Sequence, residues 1–336
     1  MFDLGILFSS VLNGLTTGAV YALIALGLTL IYGVLHIINF AHGAALMVAL
    51  YAVYLLKTHL GIDPYLALPI VVPGMFALGY GLQRIVINRA GHGKDENILL
   101  VTLGIAIVME NLALPLVVPG MFGLGYVLQR AIINRAGHGK DENILLVTLG
   151  LAIVLENLAL LVFKSDTRTI ETAYTLSTVA IGPAMIALPK LVAFGGALVV
   201  SAMLLGVVGR TDLGRAIRAV AREPQGAKLM GIDVDHVYAM SFGIGLACLG
   251  AAACFLLPAY YVNPQVGGGF VLVAFTIVVL GGMGSFAGAL AGGLLIGVVE
   301  SLCGLFLGES LGQIGIFVIF IAVLLFRPLG LFGHRS

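Results

Sequence analysis

Three groups of residues have the types and spacing that could do chemistry. The first is His36-Ile37-Ile38-Asn39-Phe40-Ala41-His42-Gly43, which sets two imidazoles and an amide directly after a long apolar run. The second is Gly281-Gly282-Met283-Gly284-Ser285-Phe286-Ala287-Gly288, which interrupts the apolar run from Phe270 to Val299. Interrupted helices in the two halves of a chain point to a transport path, because unwound backbone at membrane depth persists only where protein or a water-filled cavity surrounds it. The competing reading makes both segments plain interhelical turns whose glycines serve close packing. The third group is Glu110, Glu156 and Glu300, carboxylates within or near the ends of apolar runs, where a charge is costly and function is the default reading. Glu110 and Glu156 read as interfacial, at the external ends of their helices. Glu300 is deeper, and packing across the bundle and a place on the path stay equally open for it.

Other chemistries are excluded. Gly282 to Ala287 spells the dinucleotide fingerprint, with Glu300 downstream, but that fingerprint needs a βαβ unit, and the flanking runs are too long and too uniformly apolar for strands. Gly91-His92-Gly93-Lys94-Asp95 resembles a phosphate loop, yet Asn88 and Asp95 stand where that loop needs Gly and Ser or Thr. No ATP site is therefore expected. Cys248, Cys254 and Cys303 lie inside apolar segments as ordinary buried thiols, so neither a disulfide nor a metal site is expected.

The elements that position these residues follow from composition. The 336-residue chain is 60% apolar and 10% charged, far below the roughly 25% charge of soluble chains. Leu4 to Leu30, Leu191 to Val208 and Val237 to Gln265 carry no charge, and each can cross a hydrocarbon core of about 30 Å. Such runs of Leu, Ala and Gly form helices; barrel strands would alternate apolar and polar residues. The expected fold is an all-α polytopic bundle of about 9–11 membrane-crossing or re-entrant helices in a single domain, 1–336, broken near 36–43 and 281–288. Met1-Phe2-Asp3 carries no basic region, so no cleaved signal is expected. Net charge is +1 and no basic block suggests nucleic acid.

Residues 66–114 and 112–160 are two copies of one segment, agreeing at 42 of 49 aligned positions. Of 17 Lys and Arg, 13 fall in four places: 84–94, 130–140, 210–228 and the tail with Arg327 and Arg335. The positive-inside rule makes those places cytoplasmic. Both copies of the loop Asn-Arg-Ala-Gly-His-Gly-Lys-Asp-Glu-Asn then face one side, so the 36 residues between them cross the membrane an even number of times. Spans are expected near 5–33, 43–57, 65–87, 98–114, 115–133, 144–163, 187–209, 233–257, 268–282, 285–306 and 311–327, with the N-terminus outside and the C-terminus cytoplasmic. The segment 210–235 is the longest cytoplasmic loop. Within it, Thr211 to Glu223 alternates apolar and basic residues at helical spacing until Pro224 and Gly226 stop it. Its stripe of Leu213, Ile217 and Val220 is too short for firm lipid anchoring and favours a protein partner.

The string Asn13-Gly14-Leu15 through Tyr21-Ala22-Leu23-Ile24-Ala25-Leu26-Gly27, with Ile31-Tyr32-Gly33 and Ile38 to Gly43, strongly resembles the first signature block of LivH-type permeases. These are the membrane subunits of bacterial branched-chain amino-acid ABC importers. Gly214 to Ala219 with Leu229-Met230-Gly231-Ile232-Asp233 resembles the family's coupling segment, and Leu280 to Ser285 with Gly288, Gly292-Gly293 and Glu300 its C-terminal block. The resemblance implies a non-enzymatic permease in the bacterial inner membrane. It implies pairing with a second homologous permease, two cytoplasmic ATPase subunits that use ATP, and an extracytoplasmic substrate-binding protein, with no cofactor on this chain. It places Gly214, Arg215, Arg218, Arg222, Glu223 and Gly231 at the ATPase, and Asn39, Phe40, His42, Gly43, Gly281, Gly282, Gly284, Ser285 and Glu300 along the path. Ala44 stands where the family usually has an acidic residue, and the repeat adds 46 residues to the ordinary length. Leu, Ile or Val is the implied substrate. Urea or short amides are the alternative, and a self-sufficient channel or ion-coupled carrier is the alternative of another class.

Overall fold

The computed structural model describes residues 4–36, 39, 41–88, 168–263, 266–308, 311–327 and 330–331, with positions 102, 104–106 and 109. The second copy of the repeat, both repeated loops, Glu110, Glu156 and Phe40 lie outside the described residues.

Eight apolar helices form among the described residues: α1 (Leu4–Leu35), α2 (Ala41–Leu60), α3 (Leu68–Gly81), α4 (Leu188–Arg210), α7 (Val234–Leu256), α8 (Val266–Gly281), α9 (Phe286–Leu307) and α10 (Gly312–Phe326). Six helical stretches are long and apolar enough to cross a membrane; α8 and α10 are shorter. Each coincides, within a few residues, with a span expected from the apolar runs. The chain is an all-α polytopic membrane protein. Among the described residues the strands are those of a small antiparallel hairpin, β1 (Thr178–Ile181) and β2 (Ala184–Ala187), turned at Gly182-Pro183.

α1 is apolar on every side and buried from Gly18 through Ile31, as a central helix must be. It packs most extensively on α9, then on α7 and α4. Lipid is as apolar as leucine, so helices in a membrane associate through close backbone approach at small residues. The α1–α9 seam follows that rule. Ser10 and Ser301 each donate a hydroxyl hydrogen bond to the other's carbonyl, at 3.0 and 2.7 Å. One turn further, a Cβ on Gly297 would lie 2.3 Å from the Gly14 carbonyl oxygen, and another turn on, a Cβ on Gly18 would lie 2.7 Å from that of Gly293. Small residues four apart on both helices, running in opposite directions, thus build one antiparallel seam.

α3 belongs to the first repeat copy and continues as a π-turn, Leu82–Ile87. It docks on α7, where a Cβ on Gly79 would lie 3.0 Å from the Gly243 Cα and one on Gly250 3.2 Å from Met75. Among the described side chains of α3 and its π-turn the copies differ at Ile70, Ala77, Gly81 and Ile85, none of them buried, whereas buried Val71, Met75 and Gly79 recur as Val117, Met121 and Gly125. The residues that seat α3 on α7 are the ones both copies share.

Two faces result. One carries the start of α1, the hairpin and the 257–263 loop. The other carries the end of α1, the 282–285 turn and two short helices within the expected 210–235 loop, α5 (Asp212–Arg222), where helical spacing was read, and α6 (Pro224–Leu229).

Candidate functional site

The first break is deep. α1 ends at Leu35, His36 takes a left-handed backbone (φ 56°), and α2 begins at Ala41. Asn39 initiates α2 by accepting the Ala41 amide on its side-chain oxygen at 3.0 Å. His42 Nε2 lies 3.0 Å from the carbonyl oxygen of Ile24, 11 residues before the end of α1 (35 − 24). At 1.5 Å per residue the linker therefore runs back along α1 by about 16 Å before α2 starts. Asn39 is 2% exposed and His42 fully buried, and Asn39 Nδ2 and His42 Nδ1 find no hydrogen-bond partner among the described residues. Next to His42, Gly43 crosses α8 so closely that a Cβ would lie 2.4 Å from the Gly267 carbonyl oxygen.

The second break is tight. Gly282 and Gly284 take positive φ (94° and 86°), the Ser285 amide closes the turn on the Gly282 carbonyl at 2.9 Å, and the Ser285 hydroxyl caps α9 by accepting the Gly288 amide at 3.1 Å. A Cβ on Gly288 would lie 2.0 Å from the Gly281 carbonyl oxygen, so α8 and α9 touch backbone to backbone. The tail covers this turn, with the Leu331 amide donating to the Leu280 carbonyl at 2.7 Å. The second break meets the end of α1, since a Cβ on Gly33 would lie 3.3 Å from the Gly284 Cα. Asn39, His42 and Gly43 form one cluster and Gly281, Gly282, Gly284 and Ser285 another. Glu300 is in neither. It sits four turns along α9 from Ser285 and pairs with the hydroxyl of Tyr21.

The α5–α6 unit positions the residues expected at the ATPase. Thr211 caps α5 by accepting the Gly214 amide at 3.1 Å, and Asp212 complements the helix dipole. A Cβ on Gly214 would lie 2.1 Å from the Val208 carbonyl oxygen, so only glycine lets α5 fold back on the end of α4. Arg218 donates to that same carbonyl, and Arg215 pairs with Asp212 in solvent, where such a pair contributes little. Ile217 and Val220 are buried and Leu213 is partly so. The apolar stripe therefore seats α5 on its own chain rather than meeting a partner. Arg215, Arg218, Arg222 and Glu223 face outward. So do Leu229 and Met230, 87% and 83% exposed, just before Gly231 turns the chain with φ 83°. Both residues belong to the string that resembles the family's coupling segment, but their exposure was not evident from the residues alone.

On the hairpin face, the Tyr65 and Tyr174 rings stack at 5.4 Å, and Asp63 accepts the Tyr174 hydroxyl at 2.7 Å. Burial, and then the Asp63 charge, push the Tyr65 hydroxyl up to about 12; burial and the bond to Asp63 hold Tyr174 well above its ordinary value. Arg168 pairs its backbone with Val262 at 2.8 Å in both directions and lays its guanidinium over Tyr54, pinning the 257–263 loop.

A bundle of apolar helices with a re-entrant polar break and a charged two-helix unit on one face is the build of a membrane transport subunit. The sequence matches the family "Branched-chain amino acid transport system / permease component" over residues 10–325, and the chain belongs to that family. It is 30% identical to the high-affinity branched-chain amino acid transport system permease protein BraD of Pseudomonas aeruginosa, over 96% of this chain and 94% of that one. It is 29% identical to the LivH permease protein of Escherichia coli K12, over the same shares, and 26% identical to a probable LivH permease of Methanocaldococcus jannaschii, over 93% and 88%. No solved structure matches the chain.

Proposed function

We propose that this chain is the permease subunit of an ATP-driven importer that moves Leu, Ile or Val inward. The observation that carries the reading is the outward-facing α5–α6 unit on a bundle whose relatives, at about 30% identity over nearly full length, are named as branched-chain amino acid permeases. The basic face is cytoplasmic. Among described residues it holds Arg84, Arg210, Arg215, Arg218, Arg222, Lys228 and Arg327, against Lys57, Arg168 and Lys190 on the hairpin face, so seven cations oppose three. The N-terminus is then external, and the chain is an inner-membrane protein. Two ATPase subunits seat against Arg215, Arg218, Arg222, Glu223, Leu229 and Met230 and consume the ATP; this chain binds no cofactor. A second permease completes the pore, and an extracytoplasmic binding protein delivers substrate to the hairpin face. Asn39, His42, Gly43 and Glu300 contribute to the path, with the Gly281–Ser285 turn as its cytoplasmic boundary.

The test is ATP-dependent uptake of labelled leucine into vesicles that hold the complete importer. Absence of uptake in the presence of every partner overturns the reading. Arg215→Glu with Arg218→Glu is expected to abolish co-purification with the ATPase subunits, and undiminished binding removes the coupling assignment. The repeat is an in-frame insertion that adds two crossings. Deletion of residues 69–114 is expected to leave an inserted, ATPase-binding permease, because the second copy carries the same α7-facing residues.

A further inference from the structure

A cavity of about 170 Å³ opens between α1, α8, α10 and the 257–263 loop. Its wall is a continuous ladder of rings. Tyr261 stacks on Tyr260 with centroids 5.0 Å apart, Tyr260 meets Phe270 edge-on at 5.5 Å, and Phe270 meets Tyr21 edge-on at 5.8 Å. The ladder descends from solvent into the bundle, for Tyr261 and Tyr260 are 43% and 38% exposed and Phe270 and Tyr21 only 6%. Its lowest ring, Tyr21, has the Glu300 carboxylate as its neighbour across the α1–α9 seam. Asn263 also lines the cavity, and its side-chain oxygen is buried with no donor among the described residues. Buried acceptors are almost always satisfied, so this one calls for a donor.

Stacked electron-rich faces, an unsatisfied acceptor and a neighbouring carboxylate are all complementary to the same group, a cation with N–H donors. The buried acceptor and the carboxylate disfavour an anion, and an apolar solute would leave the acceptor unsatisfied. We propose that this cavity is a vestibule that receives the ammonium group of the incoming amino acid, with Asn263 accepting one N–H, the Tyr260 and Tyr261 faces holding the charge, and Tyr21–Glu300 drawing it inward. The aliphatic side chain then lies against Val266 and Val273, which flank Phe270 on α8. The inference rests on the import reading, and on the hairpin face being the side of delivery.

The test separates the two. The assembled importer without its binding protein, in lipid nanodiscs, is probed by saturation-transfer NMR with leucine, with isoamylamine, which keeps the ammonium and lacks the carboxylate, and with isocaproate, which does the reverse. Leucine and isoamylamine are expected to give signals and isocaproate none. Tyr261→Ala, Asn263→Leu and Glu300→Gln are each expected to weaken isoamylamine binding about tenfold, the scale of one desolvated cation contact. Tyr261→Ala changes a half-exposed ring, so it tests the site without disturbing the core. Equal signals from isocaproate and isoamylamine, or binding unchanged in all three variants, overturn the vestibule. Ammonium-dependent binding without ATP-driven leucine uptake by the complete wild-type importer would instead sink the import reading and leave the ammonium site standing.

Discussion

The two helix breaks were alike in the sequence and are opposite in the structure. At Gly281 to Ser285 backbone meets backbone, the turn takes four residues, and its strain is absorbed by glycines at positive φ and by one serine cap. At His36 to His42 side chains do the holding. Asn39 starts a helix at depth, His42 reaches the Ile24 carbonyl, and two polar atoms stay buried without partners among the described residues. Glycine breaks a helix by allowing close contact, which favours one packed arrangement. Buried amide and imidazole groups break it while leaving hydrogen-bonding capacity in the interior, which suits contact with water or a polar solute. The same pattern of interruption therefore yields a rigid corner in one half and a polar re-entrant segment in the other.

The largest effect is expected at the rigid corner. Gly288→Val sets a branched side chain against the Gly281 backbone, where nothing flexible can yield, and is expected to cost about 3 kcal/mol or more. Loss of the folded monomer on detergent size-exclusion chromatography is the readout. A well-folded Gly288→Val protein would show that the α8–α9 corner adapts, and the contrast between the breaks would fall. At the re-entrant segment, His42→Ala removes a buried ring and its bond to Ile24 and is expected to cost about 2–3 kcal/mol. The Ile24 carbonyl can keep its helical partner, so the loss is chiefly packing, and His42→Gln, which retains a donor, is expected to recover part of it in a thermal unfolding assay.

How far these differences could be read from residues alone varies with their range. Every described span was legible, because a charge-free run of about 20 residues has one solution in lipid. The hairpin was legible in principle, since Gly182-Pro183 sits between two four-residue runs, but its runs are too short to stand out beside eight apolar helices. The α5 helix was legible in its spacing and not in its orientation. Which way Leu213, Ile217 and Val220 face is decided by the Gly214–Val208 approach, a contact between α5 and the end of α4. The depth of α2 was illegible for the same reason, since His42 finds Ile24 across 18 residues and a reversal of the chain. Glu300 and Tyr21 were each visible as a residue, but their pairing belongs to the α1–α9 seam.

Smaller effects test the caps. Ser285→Ala removes the side-chain acceptor for the Gly288 amide and is expected to cost about 1 kcal/mol, the usual worth of a serine cap. Ser285→Asp restores an acceptor at the helix N-terminus and is expected to return the unfolding midpoint to the wild-type value.

The smallest effect discriminates best. His36 holds φ at 56° without being glycine, a conformation that costs an L-residue roughly 1–2 kcal/mol, while its side chain is exposed and its ring lies 6.4 Å from that of Tyr32. His36→Gly relieves that strain and loosens the unfolded chain, two opposing terms whose difference is expected to be a stabilisation of about 0.5 kcal/mol. His36→Val, branched at Cβ, is expected to destabilise by more than that. The corresponding exchange at the corner, Gly284→His, is expected to be plainly destabilising, because Gly284 needs its positive φ and also lies 3.6 Å, by its absent Cβ, from the Gly33 backbone. If His36→Gly lowered the unfolding midpoint instead, the imidazole would be holding the re-entrant segment in place. The polar break would then be supported by side chains at both of its ends.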